Sequence, residues 1–153
     1  MTRSATRPAH ILLVEDNRMD VELTMDAFRE RRLANTVHTA PNGQAALDYL
    51  HGKGAFADRD LHPLPDLILL DLKMPVMDGH EVLRRIKSAP SLRRIPVIVL
   101  SSSREEGDLA MTYDNGANSY LVKPVSFDGF LDVVARIADY WLALNVRAPL
   151  DRP

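Results

Sequence analysis

The sequence predicts an α/β domain built around a parallel β-sheet, and three observations lead to this fold class. Several short apolar runs do not alternate with polar residues, which is typical of strands that are buried on both faces. Segments with apolar residues at helical spacing separate these runs, and strands that alternate with helices indicate parallel βαβ units. The chain has 153 residues, which is enough for one domain with a real core and too few for two ordinary domains.

The first half of the chain opens with residues 1–9, a polar lead that we expect to be disordered. An apolar run over 10–14 predicts the first strand, and Asn17 is a suitable N-cap for the helix that follows. A short strand is predicted at 36–39, and a second helix follows it. The polar connection at 51–65 contains Gly and Pro and is longer than most loops.

The second half of the chain continues the alternation. Three more apolar runs predict strands at 66–70, 97–100 and 119–122. Helices are predicted at 81–88, at 104–115, where the pattern is poorly amphipathic, and from the N-cap Ser126 onward. The last helix has one long apolar face made by Phe127, Phe130, Val134, Ile137, Trp141 and Leu144. We therefore expect one domain over 10–146 and a frayed tail at 147–153.

Composition excludes several classes of protein. The chain is 46% hydrophobic and 26% charged, as soluble globular proteins are, and its net charge of −2 gives no basic field for nucleic acid. Cysteine is absent, which rules out disulfides, thiolate metal sites and Cys nucleophiles. No apolar stretch approaches the roughly 20 residues that span a bilayer, and the polar start is unlike a signal peptide. We expect a cytoplasmic protein that binds neither nucleic acid nor membrane.

Charged and polar side chains follow the predicted strands at the point where each strand ends. In an open parallel sheet the carboxyl ends of the strands share one edge, and ligands bind there. The residues delivered to this edge are Glu15, Asp16, Asp71, Ser101 and Lys123. Clustered carboxylates repel one another and raise their pKa values, which a divalent cation would relieve. A ligand set of oxygens without His or Cys favours Mg²⁺.

An ammonium and a hydroxyl group at the same edge suit an anion opposite the metal. Lys123, together with the metal, would neutralise a phosphoryl group, and Asp71 is able to accept that group as an acyl-phosphate. Each residue also has a simpler interpretation: Asp16 as a helix cap, Ser101 as a strand-end turn and Lys123 as a solvated surface charge. Their meeting on one predicted edge favours a shared site.

As a set, these residues resemble the receiver domain of two-component response regulators. The resemblance covers about 10–144 and rests on Glu15-Asp16, Asp71 followed by Met74-Pro75 and Asp78-Gly79, Ser101, Tyr120 and Lys123-Pro124. It implies a flavodoxin-like (βα)5 fold, a three-layer sandwich with parallel strand order 2-1-3-4-5. It also implies a phosphorylated signalling module that receives its phosphoryl group from a sensor histidine kinase. No output domain fits in the remaining residues, so we expect signalling through partners.

The resemblance assigns the metal-binding roles. Asp71 is the expected phosphoacceptor and Asp16 the direct Mg²⁺ ligand beside it, with Glu15 acting through water. Lys73, two residues after the acceptor, is expected to bind the metal through its backbone carbonyl. Mg²⁺ is therefore the expected cofactor.

The resemblance also assigns the phosphoryl-binding and switch roles. Ser101 and Lys123 are expected to hold phosphoryl oxygens. Tyr120 is expected to be the switch aromatic, turning inward as Ser101 moves toward the phosphoryl group; its simpler interpretation is an ordinary core aromatic. The Lys123–Pro124 peptide bond is expected to be cis, which would aim the lysine inward.

Three features depart from the commonest family pattern. Ser101 replaces the more usual Thr but keeps the hydroxyl group, the connection at 51–65 is longer than usual, and the last helix continues through 140–142. The two additions resemble small stand-alone regulators that partner bacterial phytochrome-type histidine kinases. Trp141, at the end of the last apolar face, either closes the core or anchors an interface. The enrichment of aromatic residues at interfaces favours a homodimer.

Two other classes of protein are less well supported. A Mg²⁺-dependent phosphatase-type hydrolase would also use an Asp nucleophile, but enzymes resembling haloacid dehalogenases need a second acid two residues later, where this chain has Lys73. A nucleotide-binding enzyme is not indicated, because neither the G-x-G-x-x-G nor the P-loop pattern is present. The five histidines show no spacing that suggests a metal site. We therefore expect a signalling protein whose catalysis is limited to its own phosphorylation and dephosphorylation.

Overall fold

Five strands and five helices alternate along the chain in a computed structural model that describes residues 8–30 and 35–150. The strands are β1 (Ala9–Val14), β2 (Asn35–Ala40), β3 (Leu67–Leu70), β4 (Val97–Ser101) and β5 (Ser119–Val122). The helices are α1 (Arg18–Arg29), α2 (Gly43–His51), α3 (Gly79–Ser88), α4 (Glu106–Asp114) and α5 (Phe127–Ala138). A short 3-10 turn (Gly54–Phe56) follows α2, and a π-helical turn (Asp139–Leu144) extends α5. No helix in these described residues is both long and apolar enough to cross a bilayer.

All neighbouring strands are parallel, and their order is β2-β1-β3-β4-β5. Alternate side chains of each strand point to opposite faces of the sheet, so two cores form. Leu12 and Ile68 pack with α2 and α3 on one face, whereas Ile11 and Leu69 pack with α1 and α5 on the other. The predicted three-layer, flavodoxin-like fold is confirmed.

Side-chain caps set the start of four helices. Asn17 and Ser126, both predicted as N-caps, accept hydrogen bonds from the amides of Asp20 and Gly129, and both predictions are confirmed. Asn42 and Asp78 cap α2 and α3 in the same way. Glu105, at the start of α4, makes no side-chain capping hydrogen bond. The first turn of α4 therefore depends on tertiary contacts for its anchoring.

The two ends of the domain differ in detail from the predicted boundaries. The first strand begins at Ala9, which is fully buried, while residues 1–7 and 151–153 of the predicted lead and tail lie outside the described residues. At the carboxyl end, the Arg147 side chain is 9% exposed and approaches the Asp66 carboxylate at 3.9 Å. Leu150 packs against the core. The extension of the last helix past 140 is confirmed.

The long connection between α2 and β3 is held to the body of the domain. The Tyr49 hydroxyl donates to the carbonyl of Pro63 at 2.8 Å, and the Arg59 guanidinium donates to the carbonyl of Tyr49 at 2.7 Å. The first bond satisfies a backbone carbonyl of the connection, and the second ties the connection to the last turn of α2. The length of the connection is therefore compatible with an ordered segment.

The predicted cis bond between Lys123 and Pro124 is wrong, because the described residues contain no cis peptide bond. The trans form is the lower-energy isomer even before proline. The lysine side chain still reaches the acidic residues from a trans backbone, as its contacts below show.

Candidate functional site

Three carboxylates meet at the carboxyl edge of the sheet. Glu15 and Asp16 directly follow β1, and Asp71 directly follows β3, whose neighbour is β1. The backbone amide of Asp71 donates to the carbonyl of Val14 at 3.0 Å, which continues the ladder between the two strands. One oxygen from each carboxylate lies within 4.8 Å of the others. The predicted juxtaposition of these three acids is present.

The donor set suits a hard divalent cation. An octahedral Mg²⁺ with bonds of about 2.1 Å places its ligand oxygens roughly 3.0 to 4.2 Å apart, which the spacing of the three carboxylates allows. Glu15 and Asp71 are buried, whereas Asp16 is exposed, so the pocket opens to solvent on the side of Asp16. The part of the chain that the structure describes holds no other group of three His, Asp or Glu with this proximity.

A largely buried lysine completes the pocket. The Lys123 ammonium lies 2.6 Å from a Glu15 oxygen, 2.9 Å from an Asp20 oxygen and 3.8 Å from an Asp71 oxygen, and its side chain is 12% exposed. The backbone amide of Lys123 donates to the carbonyl of Ser101 at 2.8 Å, which ties the loop after β5 to the end of β4. Three carboxylates thus share one cation.

The sequence reasoning missed Asp20. It lies in the first turn of α1, the helix that begins immediately beyond the end of β1, so its side chain faces the same edge of the sheet. Its position three residues after the predicted N-cap Asn17, in the first helical turn beyond the strand, is a signal that the sequence does contain. Asp20 competes with the other acids for Lys123.

Burial and charge pull the pKa values of this pocket in opposite directions. Burial raises the pKa of Glu15 to about 7; the hydrogen bond from Lys123 lowers it in part, and the charge of Asp71 adds to the rise. Burial also raises the pKa of Asp71, against the lowering effect of the Lys123 charge. For Lys123, burial lowers the pKa, but the hydrogen bonds to Glu15 and Asp20 outweigh it and the pKa is raised. The sequence predicted raised carboxyl pKa values from mutual repulsion; the direction is confirmed for these two acids, but burial is the larger cause.

Ser101 and Tyr120 both contact the loop between β4 and α4. Ser101 is fully buried, and its hydroxyl oxygen accepts a hydrogen bond from the amide of Ser103 at 3.3 Å. Tyr120 is 8% exposed, and its hydroxyl donates to the carbonyl of Ser103 at 2.9 Å. The ring that the family resemblance expects to turn inward on activation is therefore already inward, with Ser103 as its hydrogen-bond partner.

The loop after Asp71 is shaped by two unusual backbone positions. A Cβ atom on Gly79 would lie 2.3 Å from the carbonyl oxygen of Asp71, so only glycine lets α3 start this close to the end of β3. Val76 adopts a φ of 69°, which is costly for a β-branched residue, and it is fully exposed. Strained backbone of this kind clusters at functional sites. Lys73 lies in this loop, two residues after Asp71, and the role of its carbonyl stays a prediction.

A second polar cluster, which the sequence reasoning missed, lies beside the pocket. Asp108, in the first turn of α4, receives a hydrogen bond from the Ser103 hydroxyl at 2.5 Å and lies 3.0 Å from Nε2 of His80. The Lys73 ammonium lies 3.1 Å from the same carboxylate. The hydrogen bond from Ser103, followed by those from His80 and Lys73, holds the pKa of Asp108 well below its usual range. We call these four residues the Asp108 cluster.

Three histidines that looked scattered in the sequence also meet. Nδ1 of His10 lies 3.1 Å from Nε2 of His38, and the ring of His62 stands edge-on to His38 with centroids 6.4 Å apart. Their ring nitrogens are not among the groups spaced for one ion in the described residues. Burial, followed by the charges of His10 and His62, lowers the pKa of His38.

An open five-stranded sheet in this order, with acids and one buried lysine at its carboxyl edge, defines a receiver-type α/β domain. The chain belongs to the response regulator receiver family, because residues 11–135 match the family described as "Response regulator receiver domain". Phosphorylation on an aspartate with Mg²⁺ is typical of this family. The members are signalling proteins.

Individual relatives agree with this assignment. The chain is 44% identical over 147 residues to the probable methanogenesis regulatory protein FilR2 of Methanothrix harundinacea, covering 95% of this chain and 90% of that protein. The phosphorylated cyanobacterial phytochrome response regulator RcpA superposes with a TM-score of 0.88 at 39% identity, covering 92% of this chain and 99% of that one. The Mn²⁺-bound form of response regulator Rcp1 gives a TM-score of 0.87 at 35% identity, covering 93% and 100%. Rcp1 comes from Synechocystis.

Proposed function

We propose that Asp71 accepts a phosphoryl group from a sensor histidine kinase, with Mg²⁺, and that the domain then switches conformation. The observation that carries this proposal is the contact of 3.8 Å between the Lys123 ammonium and the Asp71 carboxylate in a pocket that also contains Glu15 and Asp16. An acid that must receive a phosphoryl group needs a cation already aimed at its oxygens. Lys123 supplies one without any rearrangement of the strands.

The transfer itself is a simple exchange of bonds. A carboxylate oxygen of Asp71 forms a bond to phosphorus while the bond from phosphorus to the kinase's histidine nitrogen breaks, and the imidazole keeps the electron pair. Charge spreads over the three equatorial phosphoryl oxygens, which Lys123 and the Ser101 hydroxyl are disposed to hold. Mg²⁺, bound by Asp16, Asp71, the Lys73 carbonyl and, through water, Glu15, would neutralise the same oxygens.

The switch would run through the loop after β4. For its hydroxyl to bind a phosphoryl oxygen, Ser101 must give up its hydrogen bond with the amide of Ser103. The carbonyl of Ser103 also accepts from Tyr120, so a movement of Ser101 is passed to the ring and to the first turn of α4. Buried donors and acceptors are rarely left without partners, so we propose that the loop exchanges these hydrogen bonds for others when Ser101 moves.

The phosphatase-type alternative is disfavoured by the side chain two residues after Asp71. That position would need a second acid, and here it is Lys73, whose ammonium is paired with Asp108 at 3.1 Å. The position two residues after Asp71 therefore supplies no general acid. We propose that catalysis is limited to the domain's own phosphorylation and dephosphorylation.

We propose a phytochrome-type histidine kinase as the partner and the cytoplasm as the compartment. The likeness to RcpA, described as a cyanobacterial phytochrome response regulator, and the absence of cysteine support these two points. Phosphotransfer from purified kinases is the test: a phytochrome kinase should outpace an unrelated histidine kinase. Equal rates from both would remove the support for this partner.

We also propose that the chain forms a homodimer through α5 and its extension. A groove of about 460 Å³ runs between β5 and this helix and is lined in part by Leu121, Val133 and Trp141. Tyr140 is half exposed beside it, with its ring centroid 5.1 Å from that of Trp141. Sedimentation equilibrium should give a dimer that Trp141→Ala weakens. A wild-type monomer at high concentration would contradict the proposal.

Acetyl phosphate provides the direct test of the acceptor. With Mg²⁺ present, the intact mass of the wild-type chain should rise by one phosphoryl group, and Asp71→Asn should abolish the rise. Asp78→Asn is a matched control, because Asp78 lies in the same loop but caps α3. A mass increase that survives in Asp71→Asn would refute the assigned acceptor.

A further inference from the structure

Helix α4 is weakly held along most of its length. Thr112 is its only buried residue in the described chain, and the helix begins without a side-chain cap. Met111 and Tyr113 are half exposed. Leu109 is partly buried against the core. Hydrophobic burial therefore contributes less to the position of α4 than to that of α3 and α5, each of which buries several apolar side chains.

The Asp108 cluster is the main polar attachment of this helix. Both carboxylate oxygens of Asp108 are engaged: Oδ1 with Nε2 of His80 at 3.0 Å, and Oδ2 with the Ser103 hydroxyl at 2.5 Å and the Lys73 ammonium at 3.1 Å. The side chains of Asp108 and His80 are each 13% exposed, whereas that of Lys73 is 58% exposed, so water screens the contact with Lys73 more than the contact with His80. One side chain thus joins α4 to α3, to the loop after Asp71 and to the loop after β4.

The same packing leaves two polar atoms without partners. Among the described residues, the buried side-chain atoms that lack a hydrogen bond are Nδ1 of His80 and Oγ1 of Thr112. When Nε2 of His80 donates to Asp108, Nδ1 of the neutral ring is an acceptor with nothing to accept. Thr112 lies on α4 and His80 on the helix beside it. Such orphaned groups cost free energy that water would recover if the helix moved.

We propose that Asp108 is a latch: a positioning residue that holds α4 and the loop after β4 in the arrangement described above, against the unpaired atoms of His80 and Thr112. The inference rests on the proposed function of the Asp71 pocket. Ser103 is the mechanical link, because its amide bonds Ser101, its carbonyl bonds Tyr120 and its hydroxyl bonds Asp108. Movement of Ser101 toward a phosphoryl group displaces Ser103 and breaks the hydrogen bond between the Ser103 hydroxyl and Asp108. A chain without the latch releases α4 before phosphorylation.

Asp108→Asn tests the latch, because it removes the charge and keeps the shape. Glu106→Gln is the matched control: Glu106 lies in the same first turn and is exposed, so it loses the same charge from the same helix end. In the unphosphorylated protein, amide hydrogen exchange over 103–115 should rise by about 2- to 30-fold in Asp108→Asn. It should rise much less in Glu106→Gln, which loses only the interaction of its charge with the helix end. Exchange in β1 should not change in either variant.

The phosphorylated state separates a latch from a merely structural contact. Acetyl phosphate and Mg²⁺ should raise exchange over 103–115 in the wild type, whereas Asp108→Asn, already released, should show a much smaller further rise. Equal rises in both, or exchange in Asp108→Asn equal to that of Glu106→Gln, would overturn the proposal.

Two further outcomes also decide between the proposals. If Asp108→Asn is too unstable to compare, Ser103→Ala is the second variant. It removes a hydroxyl that donates to Asp108 and also accepts from the amide of Glu105 at 3.3 Å, and it should raise exchange over the same residues; no rise there would also overturn the proposal. If the wild type takes up no phosphoryl group, the function proposed for Asp71 fails, while the comparison of unphosphorylated variants still decides the latch.

Discussion

Removal of the Glu15 carboxylate should change how the stability of the domain depends on pH. The folded-state pKa of Glu15 is raised from an ordinary value of 4.5 to about 7, chiefly by burial. Each tenfold change in proton affinity is worth about 1.4 kcal/mol, so this difference corresponds to about 3 kcal/mol. A raised pKa contributes stability that is fully present below the unfolded-state value and is lost as the pH rises through the folded-state value. The relevant window is therefore pH 4.5 to 7.

Urea denaturation in the presence of EDTA is the assay, at about pH 5 and about pH 8. Between these values the free energy of unfolding of the wild type should fall by about 3 kcal/mol relative to Glu15→Gln, which has no proton to lose. Glu22→Gln, on the exposed side of α1, is the control and should follow the wild type. The comparison with the variant cancels the contribution of His38, which has the opposite sign. It does not cancel the contribution of Asp71, because Asp71 interacts directly with Glu15 and the effects of contacting residues are not additive.

A divalent cation should reverse this loss. Binding to the ionised pocket at about pH 8, at 100 times the dissociation constant, stabilises the folded state by about 2.7 kcal/mol. The same Mg²⁺ concentration should help less at about pH 5, where protons compete for the carboxylates. If the free energies of unfolding of the wild type and Glu15→Gln change with pH in parallel, burial does not raise the pKa of Glu15 beyond what Lys123 offsets, and the prediction is refuted.

Three other perturbations follow from the structure. Lys123→Met removes the cation shared by the pocket acids and should slow phosphorylation by acetyl phosphate about 10²-fold, measured by intact mass; a wild-type rate would contradict its role. Gly79→Ala forces a Cβ against a backbone oxygen and should cost about 1–3 kcal/mol in urea denaturation, whereas Gly107→Ala, which has open space, should stabilise by about 0.5–1 kcal/mol; equal effects would contradict the close approach. The pKa of His38 is lowered in the folded state. The contribution of His38 to stability is therefore fully present above its ordinary pKa of 6.5 and is lost as the pH falls through its folded-state pKa. An NMR titration of His38 with a midpoint at or above 6.5 would contradict this.

The pocket itself could be anticipated because parallel strands deliver their carboxyl ends to one edge. Glu15, Asp71 and Lys123 each follow an apolar run, so their meeting needed only the strands and their parallel pairing. Asp20 was missed because its contribution depends on where the first turn of α1 points. The size of the Glu15 pKa shift was also out of reach, because it depends on how much of the carboxylate is covered by neighbours.

The Asp108 cluster could not be predicted from the order of residues in the chain. Its four members lie on two loops and two helices, and nothing in the spacing of Lys73, His80, Ser103 and Asp108 relates them to one another. The contact between the three histidines at 10, 38 and 62 could not be predicted for the same reason, because their spacing in the chain does not relate them either. The bond before Pro124 is trans. The cis expectation came from the family resemblance and went against the intrinsic preference of a peptide bond for the trans form.

The amino-acid order by itself determined the strand–helix alternation, the parallel sheet and the set of acids at its edge, because each follows from hydrophobic periodicity and from the direction of the strands. Only the tertiary structure decided which acids share Lys123, how strongly burial perturbs them and what holds α4. These properties depend on distances between side chains that are remote in the chain, and on the water that packing excludes from them.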